Sequence, residues 1–360
     1  MKKMMLCFYH FRKSNGVARA ALNMANSLSD DFDITLRPLF ISDPELEKEL
    51  SPKVSIKPVF GFHFKGLNAL LRLIPSSLLY RLIVRNSYDI VVAYQYDLPT
   101  RTLHANKHDN SVRLCWIHGY DERMVLRKYY PKYDAVVCVS KGASERLSEE
   151  YKGNINSHYL YNIVDEKVIL QQAAINTVSK PEIITFVSVG RLSPEKGFFE
   201  LLGSIKQLRD DGLKFHLWLV GGGPEKSRLI KYIEENNLSS LVTLFGTQNN
   251  PHRIVHSADI FVCSSFSEGY NTAVNEAAIM GVPVISTNVG GAQEVFELQE
   301  SGLVVDDNGA ELYKALKKAI RDPDIVSEWK EKAQKNSYKF YKANRLEAMR
   351  IFFMNQEKIK

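Results

Sequence analysis

The sequence predicts an α/β protein of two doubly wound, Rossmann-like domains, and three observations carry the prediction. Its 360 residues are the length of two ordinary domains. Short apolar runs alternate with helix-length stretches, most regularly in the second half, as in a parallel sheet with helices on both faces. The loops leaving these runs carry Gly, Pro and Asn, as ligand-binding crossovers do.

Taken in order, Met4–Tyr9, Ile34–Leu39, Ile90–Ala93, Arg113–Ile117 and Ala135–Val139 read as strands of the first domain, because each is a short apolar run. Val17–Leu28 and Ala143–Glu150 read as its helices. The second domain reads more cleanly. Strands fall at Ile183–Val189, Phe215–Val220, Val242–Phe245, Ile260–Cys263, Val282–Ser286 and Leu303–Val305. Helices fall between them at Phe198–Asp210, Glu225–Asn236, Pro251–Ser257, Thr272–Met280 and Ala310–Ile320. Periodicity fades across Val164–Lys180, which places the linker there. The domains are therefore expected at residues 1–170 and 171–325, with a charged helical tail at 326–360 that packs back on the first.

Composition narrows the class. A hydrophobic content of 45% is ample for two buried cores. Cys7, Cys115, Cys138 and Cys263 are scattered singly in apolar runs, without metal-ligand spacing, so they read as reduced core thiols. No run is long enough for a signal peptide or a membrane span, and the chain reads as cytoplasmic. The net charge of +6 lies in the first half, where residues 1–170 hold 24 Lys and Arg against 18 Asp and Glu, and the rest 23 against 23. That surplus suits an anionic membrane or an acidic substrate; no nucleic-acid-binding signature accompanies it.

The most informative run is Ser267-Glu268-Gly269-Tyr270-Asn271-Thr272-Ala273-Val274-Asn275-Glu276. It sets Glu268 in the loop before a helix and Glu276 inside that helix. Eight residues of helix span ~12 Å, the order of the separation between sugar and ribose in a nucleotide diphosphate-sugar. Between the acids lies a helix N-terminus, whose N–H groups and dipole favour a phosphate. Gly281-Val282-Pro283-Val284-Ile285 follows as a buried strand, and Gly290-Gly291-Ala292-Gln293-Glu294 opens the next helix.

This stretch resembles the retaining nucleotide-sugar glycosyltransferases of the GT-B fold, glycosyltransferase family four. Their signature is two glutamates separated by seven residues, then a Gly-x-Pro-Val-Ile strand and a Gly-Gly-x-x-Glu turn. The resemblance implies two Rossmann-like domains facing a cleft. Gly190-Arg191-Leu192-Ser193-Pro194-Glu195-Lys196-Gly197 resembles the family element whose Arg and Lys hold the donor diphosphate, which assigns that role to Arg191 and Lys196. Gly221-Gly222-Gly223 matches a nucleotide-pocket turn, represented by Gly222, and 246–250 lies where relatives contact the base.

In the first domain, Gly16 resembles the loop glycine whose N–H faces a phosphate, although relatives have Gly-Gly where this chain has Asn15-Gly16. His118 stands where relatives contact the donor sugar. Asn162, in Tyr161-Asn162-Ile163-Val164-Asp165, matches a Pro-Asn-Gly-Val-Asp turn without its proline and glycine. Gly269, Tyr270, Asn271, Thr272 and Ala273 complete the substrate-binding set. Asn271 replaces a glycine common in relatives, so its amide is expected to read sugar hydroxyls.

The resemblance implies transfer of a hexosyl or N-acetylhexosaminyl unit from a nucleotide sugar, UDP-linked by family weight, with retention and without a metal or cofactor. Glu268 sits near the sugar and Glu276 grips the ribose. With no carboxylate evident for the opposite sugar face, front-face attack is favoured over a covalent intermediate. The segment Phe60–Arg85 mixes aromatics, leucines and cations, divided by Pro75 into two short helices. As a basic amphipathic stretch it suits an anionic membrane, which favours a lipid-linked, polyprenyl-borne glycan acceptor of cell-envelope or capsular polysaccharide synthesis at the inner membrane face. The competing reading is a non-catalytic nucleotide-sugar binder or scaffold of the same fold. An epimerase or phosphorylase fits the paired glutamates less well. A dinucleotide oxidoreductase lacks its Gly-x-Gly-x-x-Gly.

Overall fold

The computed structural model describes residues 1–13, 15–105, 110–119, 125–306 and 309–357. It divides into two units, Met1–Val164 with Lys342–Lys360, and Asp165–Tyr341. Each is a twisted parallel sheet covered by helices.

The first sheet comprises β1 (Lys2–Phe8), β2 (Phe32–Pro38), β3 (Ser55–Ile56), β4 (Ile90–Ala93), β5 (Val112–Ile117), β6 (Ala135–Cys138) and β7 (Ser157–Tyr159), in the order β3-β2-β1-β4-β5-β6-β7. The second comprises β8 (Thr185–Val189), β9 (His216–Val220), β10 (Val242–Gly246), β11 (Ile260–Cys263), β12 (Val284–Thr287) and β13 (Leu303–Val305), in the order β10-β9-β8-β11-β12-β13. Central strands such as β4, β6 and β11 are buried along their whole length, as a sheet covered on both faces demands. The order reverses between β1 and β4 in one sheet and between β8 and β11 in the other. At such a switch point the crossovers diverge and leave a crevice at the carboxyl ends of the strands. The loops after β1, β8 and β11 are therefore the ones that can hold a ligand.

The segment expected as a linker is a helix of the second unit, Glu166–Ala174. Asp165 caps it by accepting from the Lys167 and Val168 N–H groups, while Ile169 and Ala173, four residues apart, bury its inner face. The tail also differs in its division. The helix Pro323–Asn336 stays with the second unit, where Val326 and Trp329 enter the core. Only Lys342–Lys360 belongs to the first. There the helix Lys342–Met354 lays Phe353 against Phe32 and Trp116, with ring centroids 6.0 Å from each. Lys2 Nζ donates to the carbonyls of Met354 at 2.7 Å and Gln356 at 2.9 Å. The four cysteines are free and buried.

Candidate functional site

The site builds outward from the switch point of the second sheet. β8 delivers the loop Gly190–Gly197, and β11, its neighbour, delivers Ser264–Asn271. The two loops are bonded to each other. Phe266 N donates to Glu195 O at 2.9 Å, and Ser264 Oγ donates to Lys196 O at 3.0 Å. Gly197 allows this approach: with φ +63° it sits so close to Ser264 that a Cβ would lie 2.0 Å from the Ser264 carbonyl oxygen. Gly290 plays the same part for the second loop, since a Cβ there would lie 2.3 Å from Glu268 O and 2.7 Å from Gly269 O. At Gly291 a Cβ would strike the Tyr270 ring at 2.2 Å. The glycines of the Gly-Gly-x-x-Glu turn thus seat the backbone that carries Glu268.

The Glu268 side chain is held by one oxygen. Oε1 accepts from Lys196 Nζ at 2.6 Å, Ser265 Oγ at 2.7 Å and Asn271 Nδ2 at 3.0 Å. Oε2 accepts no hydrogen bond among the described residues. Three donors, one of them charged, converge on that oxygen and fix the rotamer. They leave the second oxygen unengaged among the described residues.

Asn271 corrects an expectation. Its amide does not project as a reader of sugar hydroxyls, because all of its hydrogen-bonding capacity is used within the protein. Oδ1 accepts from Ala273 N at 3.0 Å and Val274 N at 3.3 Å, capping the helix Thr272–Ile279. Nδ2 donates to Glu268 Oε1 and to Cys263 Sγ at 3.3 Å. The same cap occupies two of the N–H groups that the sequence offered to a phosphate. Beside that cap stand the exposed Thr272 and the exposed Arg191, whose guanidinium has no hydrogen bond or ion pair among the described residues.

Glu276 lies half-buried one helix face further on, with Oε2 3.2 Å from His252 Nε2. His252 Nδ1 lies 2.7 Å from Gln172 Oε1, which anchors the ring to the helix that replaced the expected linker. Gly222 sits against Thr247, where a Cβ would come within 2.5 Å of Oγ1, and Gly221 N donates to Gly246 O at 2.9 Å. The glycine turn and 246–250 are therefore packed as one wall. Sequence reasoning missed Ser265, Cys263, His252 and Gln172. A serine pair three residues before Glu268 is the only one of these with a visible signal.

The first unit places its residues separately. Asn15 caps the helix Gly16–Leu28 through Oδ1, which accepts from Val17 N at 3.0 Å, and Nδ2 reaches His10 O at 3.3 Å. An Asn therefore does at that loop what a second glycine would not. His118 ends β5 with its ring edge-on to Tyr94 at 4.6 Å and Nε2 without a hydrogen-bond partner among the described residues. Burial pushes its pKa down to about 4, against a smaller upward pull from a hydrogen bond with the Tyr94 backbone, so the imidazole is neutral near pH 7. Asn162 O accepts from Arg345 at 2.8 Å, and its Oδ1 is buried without a partner among the described residues.

Two family patterns match the chain in tandem, one on each unit. Residues 14–168 match Glycosyltransferase Family 4, and residues 171–336 match Glycosyl transferases group 1. The chain belongs to glycosyltransferase family four. Among relatives, an N-acetylgalactosaminyltransferase of Campylobacter jejuni, named for its diacetylbacillosaminyl-diphospho-undecaprenol acceptor, is 30% identical over 223 residues, 61% of this chain and 60% of that enzyme. The match thus spans less than two thirds of that relative. The lipopolysaccharide core biosynthesis glycosyltransferase LpsE of Rhizobium meliloti is 24% identical over 89% of this chain and 90% of its own length. Anabaena HepE, solved in complex with UDP, superposes with a TM-score of 0.75 over 99% of this chain and all of its own, at 17% identity. That likeness establishes the GT-B fold for this glycosyltransferase.

Proposed function

We propose that this glycosyltransferase moves a hexosyl or N-acetylhexosaminyl unit, with retention, from a UDP-sugar to a polyprenyl-linked glycan in cell-envelope or capsular polysaccharide synthesis, at the cytoplasmic face of the membrane. The observation that carries the reading is the Glu268 clamp at the β8/β11 switch point, with Glu276 eight residues along the same run. The relatives support its two ends: the Campylobacter enzyme is named for an undecaprenol-linked acceptor, and HepE was solved with UDP.

Departure of the nucleotide builds negative charge on the diphosphate. Arg191, Lys196 and the N-terminus at Thr272 supply the opposing charge, so the protein's own cations stabilise the leaving group. Glu268 Oε2 takes a sugar hydroxyl and offers negative charge to the oxocarbenium-like centre, while Glu276 holds the ribose hydroxyls. Front-face attack lets a phosphate oxygen accept the acceptor proton as the glycosidic bond to the leaving group breaks. Gly222, Gly269, Tyr270 and Ala273 line the donor, Asn15 sets the loop whose Gly16 N–H serves a phosphate, and Asn162 offers its unpaired Oδ1 as an acceptor. His118, neutral at working pH, serves as a hydrogen-bonding contact to sugar rather than as a cation.

A donor screen tests the reading. Purified protein is mixed with UDP-, GDP- and ADP-sugars, and thermal shift and nucleotide diphosphate release are followed, with Glu276→Ala as control. Stabilisation by one UDP-sugar, lost in the variant, is expected, and the anomeric configuration of the product read by NMR decides retention. A folded protein that no donor stabilises or turns over would overturn the reading in favour of a scaffold of the same fold.

A further inference from the structure

The first domain carries a surface that nucleotide-sugar chemistry does not use. Residues 50–88 contain no Asp or Glu, yet hold Lys53, Lys57, Lys65, Arg72, Arg81 and Arg85. Lys53 is paired with Asp30 and Arg72 with Asp97. Lys57, Lys65, Arg81 and Arg85 are exposed and form no ion pair among the described residues. The acid-free stretch therefore presents four uncompensated cations.

The apolar side chains between those cations face the wrong way for a water-facing helix. In the helices Leu67–Leu73 and Ser76–Ile83, the inward positions Leu67, Leu71, Leu79, Tyr80 and Ile83 join the core beside Val91 and Ile117. An ordinary surface helix would be polar on its other side. Here that side holds Leu70, Leu73, Leu78 and Leu82, with Leu73 81% and Leu78 58% exposed. The preceding loop adds Phe62 and Phe64, whose exposed rings stack at 6.3 Å with only 3° between their planes. Six large apolar side chains thus stand in water within 21 residues. Lys57 and Arg85, at the two ends of the stretch, meet at one open polar cavity that Lys3, Asp33 and Ser87 also line.

We propose that this face, from Phe62 to Leu82 with its flanking cations, docks on an anionic lipid bilayer. The proposal rests on the lipid-linked reading of the acceptor and names the element that would make the contact. Leucines and phenylalanines enter the boundary between headgroups and acyl chains, and Lys57, Lys65, Arg81 and Arg85 meet the lipid phosphates. The charge selects this occupant over a second copy of the chain, because two such faces would oppose the same unpaired cations. Among the described residues no helix is long and apolar enough to cross a membrane, so the contact is one of lying on the surface.

The test sediments the full chain with vesicles of phosphatidylcholine alone, or with phosphatidylglycerol added, at low and high salt. Binding to the anionic vesicles is expected, weakened by salt and by Arg81→Glu with Arg85→Glu, and reduced about tenfold or more by Leu73→Glu with Leu78→Glu. Both leucines are exposed, so the double variant should melt like the parent, which a thermal scan verifies. A protein that stays in the supernatant with every vesicle, or binds neutral and anionic vesicles alike, overturns the proposal. So does a dimer on size exclusion that the leucine pair dissolves, since the face would then be an interface between copies. Donor turnover in solution, read in parallel, separates the two ideas: turnover without vesicle binding sinks the docking face alone, and binding without turnover sinks the transferase reading alone.

Discussion

The two domains share a plan and differ in how tightly their strand-end loops are built. In the second, Gly197, Gly221, Gly223, Gly290 and Gly291 each stand where a Cβ would come within 2.3 Å of a neighbouring atom. In the first, Gly16, Gly61, Gly66 and Gly153 meet nothing within 4 Å. One set of loops is interlocked backbone to backbone around a carboxylate. The other set stands apart, capped and packed one by one. A site that must stabilise a fixed charge needs the first kind of construction, because electrostatic help costs no reorganisation only when the groups are already in place.

The largest effect that would sharpen this contrast is at the carboxylate itself. Lys196→Ala should lower donor turnover by roughly 10²–10³-fold, measured at saturating donor, with little change in melting temperature. A loss under threefold would mean that the clamp is ornamental to catalysis. Next comes the interlock. Gly290→Ala should cost about 1–3 kcal/mol by overpacking, seen as a melting temperature several degrees lower. Gly16→Ala, with open space around it, should stay within about 0.5 kcal/mol of the parent. Equal costs at the two glycines would break the comparison outright.

Asn271 separates fold from chemistry at one residue. Asn271→Ala should lose about 1 kcal/mol as a missing helix cap and roughly tenfold in turnover as Glu268 loosens. Asn271→Asp keeps the cap but sets a second carboxylate against Glu268, so stability should recover while turnover does not. Recovery of both would reduce Asn271 to a cap. The smallest effect concerns pH and belongs to the first domain. His118 is held near a pKa of about 4 by burial, below the ordinary histidine value. The unfolded chain therefore binds the proton first, and the stability this neutral ring contributes is complete above about pH 6.5 and lost as pH falls towards 4. Replacing His118 with Asn should flatten that acid limb in part. His104, pushed to about 4 by its own burial, keeps part of the remainder, with His10, His158 and His216, which burial also lowers.

Legibility followed the same division. The second sheet could be traced strand by strand, because its β-strands are short apolar runs and four of them, β8, β9, β10 and β12, close on glycine or asparagine. The glycines that frame Glu268 were visible as a pattern because sterics leave no other residue type possible there. What the sequence withheld was contact between residues distant in the chain. Nothing in Gln172 or His252 announces that they meet, and the faded periodicity of Glu166–Ala174 hid a helix whose buried face is only two residues wide. Asn271 was misjudged for a related reason. A residue list shows that an amide is present, whereas its four hydrogen bonds are a property of the folded loop. The two outward leucine stripes were legible as apolar, and only the fold shows which side of each helix the core takes.

The helix Lys342–Met354 gives the order of synthesis an unusual consequence. Trp116 and Phe32 emerge early from the ribosome, but the ring that covers them, Phe353, is made after the entire second domain. At about 5–20 residues per second the stretch from Trp116 to Phe353 takes roughly 12–47 s. The half of the chain made first is thus the last that can finish folding, and for that interval the nascent protein carries an open aromatic face that a chaperone would be expected to find.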